Sequence, residues 1–366
     1  MSDTRTTVAR PAPVTGARAG ARSAPRGGAR GGARGGAARV PMRGAVAGGV
    51  VTVLLAVLAS LLLGVQDLAP GAVLDAVRGA RTEGETAAIV SSRIDRTVIG
   101  LVVGASVALS GVVLQGLTRN PIAEPGILGL NSGAALAVVL GISVLGLTTV
   151  TGYALAALVG TLVVATLVQA LTAMAPRSGA PVAMALAGAA VMALAQSLIG
   201  GVLVTDRGAL DSFRFWQVGS VAGREASSVV EVLPFLVVGA LLALTAGPTL
   251  NAVALGDDMA RGLGQNVVLH RGLAAGGAVL LAAGATALAG PIAFVGLVVP
   301  HVVRAVVGVD HRRLLVLSAV LGAAFVVLAD VVGRLVSRPS EVQAGIVCAV
   351  IGAPVLVAVV RHVRGL

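Results

Sequence analysis

The chain has 366 residues, 56% of them hydrophobic and 12% charged, with a mean hydropathy of +0.96; one buried core cannot absorb that much apolar sequence, so a soluble globular domain is excluded. All 27 basic residues are arginine, for a net charge of +11, and a chain without lysine has no P-loop with which to cradle and split ATP itself. The single cysteine, Cys348, leaves no internal disulfide and no thiolate metal cage.

Residues 1–43 carry nine arginines against one acid, Asp3, and include the Gly/Arg repeat from Arg26 to Gly36. Such a segment cannot bury a core and is expected to be a disordered cytoplasmic tail that fixes orientation and touches anionic lipid. An RNA-binding role for it is the alternative, and nucleic acid is not expected as a partner. Beyond it the apolar runs are about 20 residues long rather than alternating strands of about 10, so the spans are helices and the fold class is all-α, a polytopic membrane protein with about ten transmembrane helices. The first span is Ala45 to Val65, followed by a polar loop from Gln66 to Ser92.

The stretch Arg93 to Ala134 then combines charge, hydrocarbon and turn chemistry. Arg93 and Arg96 precede an apolar run from Thr97 to Leu117, a second span; Asn120-Pro121 and Glu124-Pro125-Gly126 then turn the chain back into a third, because proline removes a donor and disfavours helix in the residue before it. R-x-x-R, S-G-x-x-x-Q (Ser110, Gly111, Gln115), R-N-P-I-A-E-P-G (Arg119 to Gly126) and L-G-L-N-S-G-A (Leu128 to Ala134) follow in one ungapped order. In this order they resemble the FecCD family, permease subunits of ABC importers for iron-siderophore complexes, haem and cobalamin.

Tyr153 to Met174 and Val182 to Val204 read as the fourth and fifth spans, joined by the turn Pro176-Arg177-Ser178-Gly179. Trp216, in the polar segment Asp206 to Arg224, is expected as an interfacial anchor, with a ligand contact as the alternative. Val229 to Gly247 is the sixth span. Thr249 to Gln265 sets Leu250, Val253, Ala254, Ala260 and Leu263 among polar residues, which suits short helices at the interface. The resemblance makes this segment the coupling loop that docks on an ATPase; an ordinary amphipathic connector is the alternative.

Arg271 to Ala289 is the seventh span, and Gly290 to Arg304 the eighth, expected to be interrupted at Gly296 and Pro300; GPIAFVGLVVPHVVR again resembles the family. His301 has no second ligand at metal spacing, so neither a metal site nor a cofactor is expected. Leu314 to Val336 is the ninth span, in which Asp330 either pairs with Arg334 one turn on or serves a pathway. Glu341-Val342-Gln343-Ala344-Gly345 departs from the family's pattern by lacking a proline, which leaves the geometry of that loop open. Gly345 to Val360 is the tenth span. An echo between Gly104–Gly111 and Gly284–Gly290, with what the resemblance implies, points to an inverted repeat relating spans 2–5 to spans 7–10.

With both termini inside, 18 arginines fall on the inner side and nine on the outer, and half of the inner 18 sit in the tail. The resemblance implies that residues 44–366 form the permease domain in the cell membrane and that the chain is not an enzyme. Its implied partners are ATP-binding subunits, an external substrate-binding protein, a second permease chain and lipid. It further implies that Arg93, Arg96 and Arg334 receive carboxylates of the binding protein and that Leu255, Gly256, Asp257, Ala260, Arg261, Leu263 and Gly264 transmit ATPase closure. Gln115, Asn131, Ser132 and Gly133 would lie near the pathway. An ion-driven secondary transporter is the rival, though only Asp330 offers the intramembrane carboxylate that such a device needs.

Overall fold

The computed structural model describes residues 41–80, 83–175, 180–262 and 266–364. Residues 1–40 of the expected tail, 1–43, lie outside the described residues; Pro41 is the N-cap of the first helix, and Met42 and Arg43 belong to it. Among the described residues there are fourteen α-helices and no strand: α1 Met42–Leu62, α2 Pro70–Val77, α3 Glu85–Thr118, α4 Leu130–Ser143, α5 Val150–Ala173, α6 Ala180–Thr205, α7 Arg207–Gln217, α8 Ser228–Thr245, α9 Gly247–Ala254, α10 Asp257–Gly262, α11 Val267–Ala289, α12 Val295–Val307, α13 His311–Val336 and α14 Ala344–Arg364. A 3-10 turn, Pro125–Leu128, precedes α4.

Seven helices, α1, α3, α5, α6, α8, α11 and α13, are long and apolar enough to cross a bilayer, and α4, α12 and the described part of α14 are shorter apolar helices. Each of the ten expected runs is therefore a helix, and the all-α reading holds. At 14 and 13 residues, α4 and α12 extend only about 20 Å, short of the ~30 Å hydrocarbon core. Both begin inside the protein, after proline-containing segments that follow long helices.

Three expectations change in detail. Helix α3 starts at Glu85, eight residues before Arg93, because Glu85-Thr-Ala-Ala supplies helix formers with an acid in the first turn, where the helix dipole favours it. Pro300 does not interrupt the eighth span: the non-helical segment is Gly290 to Phe294, and α12 runs through Pro300. Trp216 is 3% exposed and stacks on Phe213 with ring centroids 5.9 Å apart, so it packs inside rather than anchoring at the headgroups. It does so because α7 is amphipathic and lays its apolar face on α4 and α6.

Helix α3 is the centre of the molecule: 78% of its most apolar window is buried, against 22% for α1. Its approach to neighbours is set by glycine. A Cβ on Gly104 would overlap the backbone of Gly322 in α13, and one on Gly111 would overlap Gly296 in α12, so these helices touch through their backbones.

The contacts fix directions. The start of α3 lies beside the last turn of α1 and the last turns of α13, while its end, at Gly116, lies against His311 of α13 and Leu250 of α9. Gly290, just past α11, sits on Trp216, whose neighbour Gly219 also touches Gly345 at the start of α14. Thus α3 and α11 run in opposite directions, and the molecule has an arginine end and an α9 end.

Candidate functional site

The arginine end is built around the last turn of α1. A helix leaves its final carbonyls without intrahelical donors, and in lipid these need partners. Arg93 Nη1 donates to Leu61 O at 2.8 Å and Leu62 O at 3.1 Å, and its Nη2 to Gln66 O at 2.6 Å. Arg334 Nη1 donates to Ser60 O at 3.0 Å and Leu63 O at 3.2 Å, and Arg338 Nη2 to Gly64 O at 2.5 Å. A Cβ on Gly64 would meet the Arg93 guanidinium, so glycine makes the room. Three cations at a helix C-terminus also suit its negative dipole end.

Arg96 points to the acids instead. Its Nε and Nη2 grip both oxygens of Asp330 at 3.2 and 2.7 Å, and its Nη1 reaches Glu341 at 2.7 Å. Asp330 also pairs with Arg334 at 3.0 Å, the i,i+4 pair expected from sequence. The fork on Asp330 is bidentate, the strong form of such a bond, and gives one register between α3 and α13. The structure thus brings Arg93, Arg96 and Arg334 together with Asp330, but buries them at 4, 8 and 2% exposure with their guanidinium groups already engaged.

Beside this network opens a cleft of about 380 Å³ lined by Arg96, Tyr153, Trp216, Arg224, Glu341 and Gln343 among others. Burial lowers the Arg224 guanidinium to about 10. The loop before α14 is fixed despite its missing proline: Val342 N–H donates to Gly333 O and Gly345 N–H to Gly219 O, each at 3.0 Å.

The α9 end is fastened to the same two long helices. Asn251 of α9 donates through Nδ2 to Asp310 at 2.8 Å, and its Oδ1 lies 2.9 Å from both the backbone N–H and the ring Nδ1 of His311. The Asn251 amide, then the Arg312 N–H, holds the Asp310 carboxyl below its ordinary range. Arg119, a left-handed residue closing α3, donates through Nε to Val253 O at 2.9 Å. Of the expected coupling residues, Leu255 is 69% exposed, Ala260 is buried against Ala252, Val253 and Val267, and Gly256 takes φ 112°, which favours glycine. Asp257 and Arg261 lie in α10; Leu263 and Gly264 lie outside the described residues.

In the last turn of α3, toward the α9 end, sits Gln115. Pro300 has no N–H, so the carbonyl four residues back, Gly296 O, lacks its helical donor, and Gln115 Nε2 supplies one at 2.9 Å. Arg304 Nη2 donates in turn to Gln115 Oε1 at 2.9 Å. Of the residues expected near a pathway, Gln115 and Ser132 are buried and Gly133 packs on Gly160 and Val164 of α5. Asn131 lines a void of about 10 Å³ beside Glu124. Sequence reasoning passed over Glu124 and Asn251. Glu124 had a signal in the repeated tripeptide Pro-Ile-Ala at 121–123 and 291–293; Asn251 had none, since its partners lie 59 and 60 residues away.

The chain is 36% identical over 304 residues to the ferric enterobactin transport system permease protein FepD of Escherichia coli K12, covering 83% of this chain and 90% of that one. It is 37% identical over 270 residues to the probable siderophore transport system permease protein YfiZ of Bacillus subtilis 168, covering 74% and 81%. To the cobalamin import system permease protein BtuC of Halobacterium salinarum it is 39% identical over 281 residues, covering 76% and 74%. A solved inward-facing structure of a metal-chelate type ABC transporter superposes with a TM-score of 0.75 at 27% identity, over 87% of this chain and 99% of that one. With residues 52–362 also matching the family as a whole, this multi-pass membrane permease belongs to the FecCD transport family.

Proposed function

We propose that the chain forms the translocation unit of a binding-protein-dependent ABC importer, together with a second permease chain, and moves a ferric-siderophore-type chelate into the cytoplasm. Separate ATPase subunits engage the α9 end and an extracytoplasmic binding protein engages the arginine end, with both termini cytoplasmic. The observation that carries this reading is mechanical: α3 and α13 touch backbone to backbone at Gly104 and Gly322 and are held at both ends, by Asn251 and Arg119 at one and by Arg96 and Asp330 at the other. A displacement of α9 is then passed to the arginine end as movement of a paired rod.

Side chains at the two ends support the partners. Leu255, Met259, Val268 and Leu269 are 69, 57, 77 and 54% exposed around α9 and α10, an apolar patch of the kind that marks a protein interface. Asp257, Ala260, Arg261, Leu263 and Gly264 complete the proposed coupling segment. At the other end Arg93, Arg96 and Arg334 outnumber Asp330 and Glu341 three to two, so the network carries net positive charge toward acidic groups of a docking protein even with its guanidinium groups engaged. The adjoining cleft gives the chelate a place to enter, and Gln115, Asn131, Ser132 and Gly133 lie farther in, at the start of α4 and beside α12. Low burial in α1, α6 and α8 leaves apolar faces for lipid and for the second chain.

Reconstitution tests the proposal. Vesicles holding the permease, its ATPase and its binding protein should accumulate ferric enterobactin, the chelate named for FepD, only when all three are present with ATP. Uptake by the permease alone under a proton or sodium gradient would replace this reading with secondary transport.

A further inference from the structure

Pro121-Ile122-Ala123 leads to Glu124, and Pro291-Ile292-Ala293 leads to Phe294. Each tripeptide lies in a non-helical segment that follows a long helix, α3 or α11, and precedes a half-helix, α4 or α12. The corresponding residues meet: Glu124 Oε2 accepts the N–H of Phe294 at 3.1 Å. Phe294 is the N-cap residue of α12, held at φ 68°, a conformation uncommon for a residue with a side chain. Its ring lies where a Cβ on Gly352 of α14 would fall, so the start of α12 is fixed from two sides.

The carboxylate is well placed to complete the start of α12. The first N–H groups of a helix lack internal partners and form its positive end, which an acid satisfies twice over, by hydrogen bond and by charge. Among the described residues no cation pairs with Glu124. Its other surroundings are the void shared with Asn131 and Thr286, which has room for one water. An acid between membrane helices without a cationic partner is costly to keep and marks function by default.

We propose that Glu124 is a positioning residue of the transport cycle, whose carboxylate joins the re-entrant turns of the two half-repeats so that α4 and α12 move together. This rests on the importer reading above. A cap that served folding alone would be needed equally for stability, hydrolysis and movement. A joint between moving parts is needed for the last of these, and its loss leaves ATP hydrolysis running without conformational response.

The test uses the assembled permease and ATPase in vesicles, with Cys348→Ser and a reporter, Ser212→Cys, on the exposed wall of the outer cleft. The assembly with Glu124 intact should change its maleimide labelling rate about fivefold or more between nucleotide-free and vanadate-trapped states, the low end of ordinary site-to-site coupling. Glu124→Ala should hydrolyse ATP within about twofold of that assembly while the labelling change disappears. Glu124→Gln keeps an oxygen that accepts the Phe294 N–H and should restore the change. Glu124→Asp, which withdraws the carboxylate by one methylene, reads the same contact should the Ala chain fail to insert, and should blunt the response. A full labelling response in the Ala or Asp variant overturns the inference, as does a Gln variant as unresponsive as Ala. A reporter that stays silent with Glu124 intact, while that assembly hydrolyses ATP, sinks the importer reading itself.

Discussion

Replacing Gln115 by Leu removes two buried contacts at once, the donor to Gly296 O and the acceptor for Arg304. Leaving a buried carbonyl unpaired costs about 1–3 kcal/mol in soluble proteins. Interhelical hydrogen bonds in membranes average about 0.6 kcal/mol, because the unfolded reference also finds partners. The expected loss for Gln115→Leu is therefore about 1–3 kcal/mol for the pair of contacts. The decisive variant is Pro300→Ala, which returns an N–H four residues after Gly296 and lets the helix satisfy its own carbonyl. Pro300→Ala alone should already stabilise, since proline is a poor helix residue. The argument lies in the difference: its gain should be larger by about 0.5–1 kcal/mol in the Gln115→Leu background than in the unaltered chain, a double-mutant coupling. Melting of the purified permease in detergent, followed by tryptophan fluorescence, measures all four corners. Equal gains in both backgrounds would refute the idea that Gln115 stands in for the missing proline donor.

Three further outcomes follow from the same geometry. Gly104→Ala puts a methyl into the Gly322 backbone and should cost about 1–3 kcal/mol by overpacking, read as a lower melting temperature; wild-type melting would show that α3 and α13 can separate freely. Asp330→Asn leaves Arg96 and Arg334 buried with less compensation and should cost about 3–5 kcal/mol, while Asp330→Asn with Arg334→Met should lose less than the single change; a harmless Asp330→Asn would contradict the network. Asp310 has its folded pKa below the ordinary carboxylate value, so its contribution is present above that value and lost as pH falls through the lower, folded one. Asn251→Ala, which removes the largest cause of that shift, should flatten this acid-side decline in melting temperature.

Hydrophobic runs made the helices legible, because span length and composition are local properties of the chain. The Asp330–Arg334 pair was legible too, being one turn apart on one helix. The burial of Arg93 was not, since the need it meets belongs to the carbonyls of another helix, 31 and 32 residues earlier, and of the loop just after it. Arg96 finds Asp330 across 234 residues, a contact made by packing and invisible to spacing. Pro300 misled in the opposite way. A proline in an apolar run predicts a break, but a glutamine on α3 supplies the missing donor, and only tertiary structure shows that donor.

The cap on α1 has a consequence for biogenesis. The helix leaves the ribosome before α3 and α13, yet its last carbonyls are completed by Arg334, 274 residues after Ser60, as well as by Arg93. Until α13 has been synthesised and inserted, Ser60 O and Leu63 O have only water or headgroups as donors, so that end of α1 must wait at the membrane surface. Helix α1 is thus seated by a helix made long after it, and a ribosome-bound chain truncated before residue 334 should hold α1 nearer the membrane surface than the finished protein does.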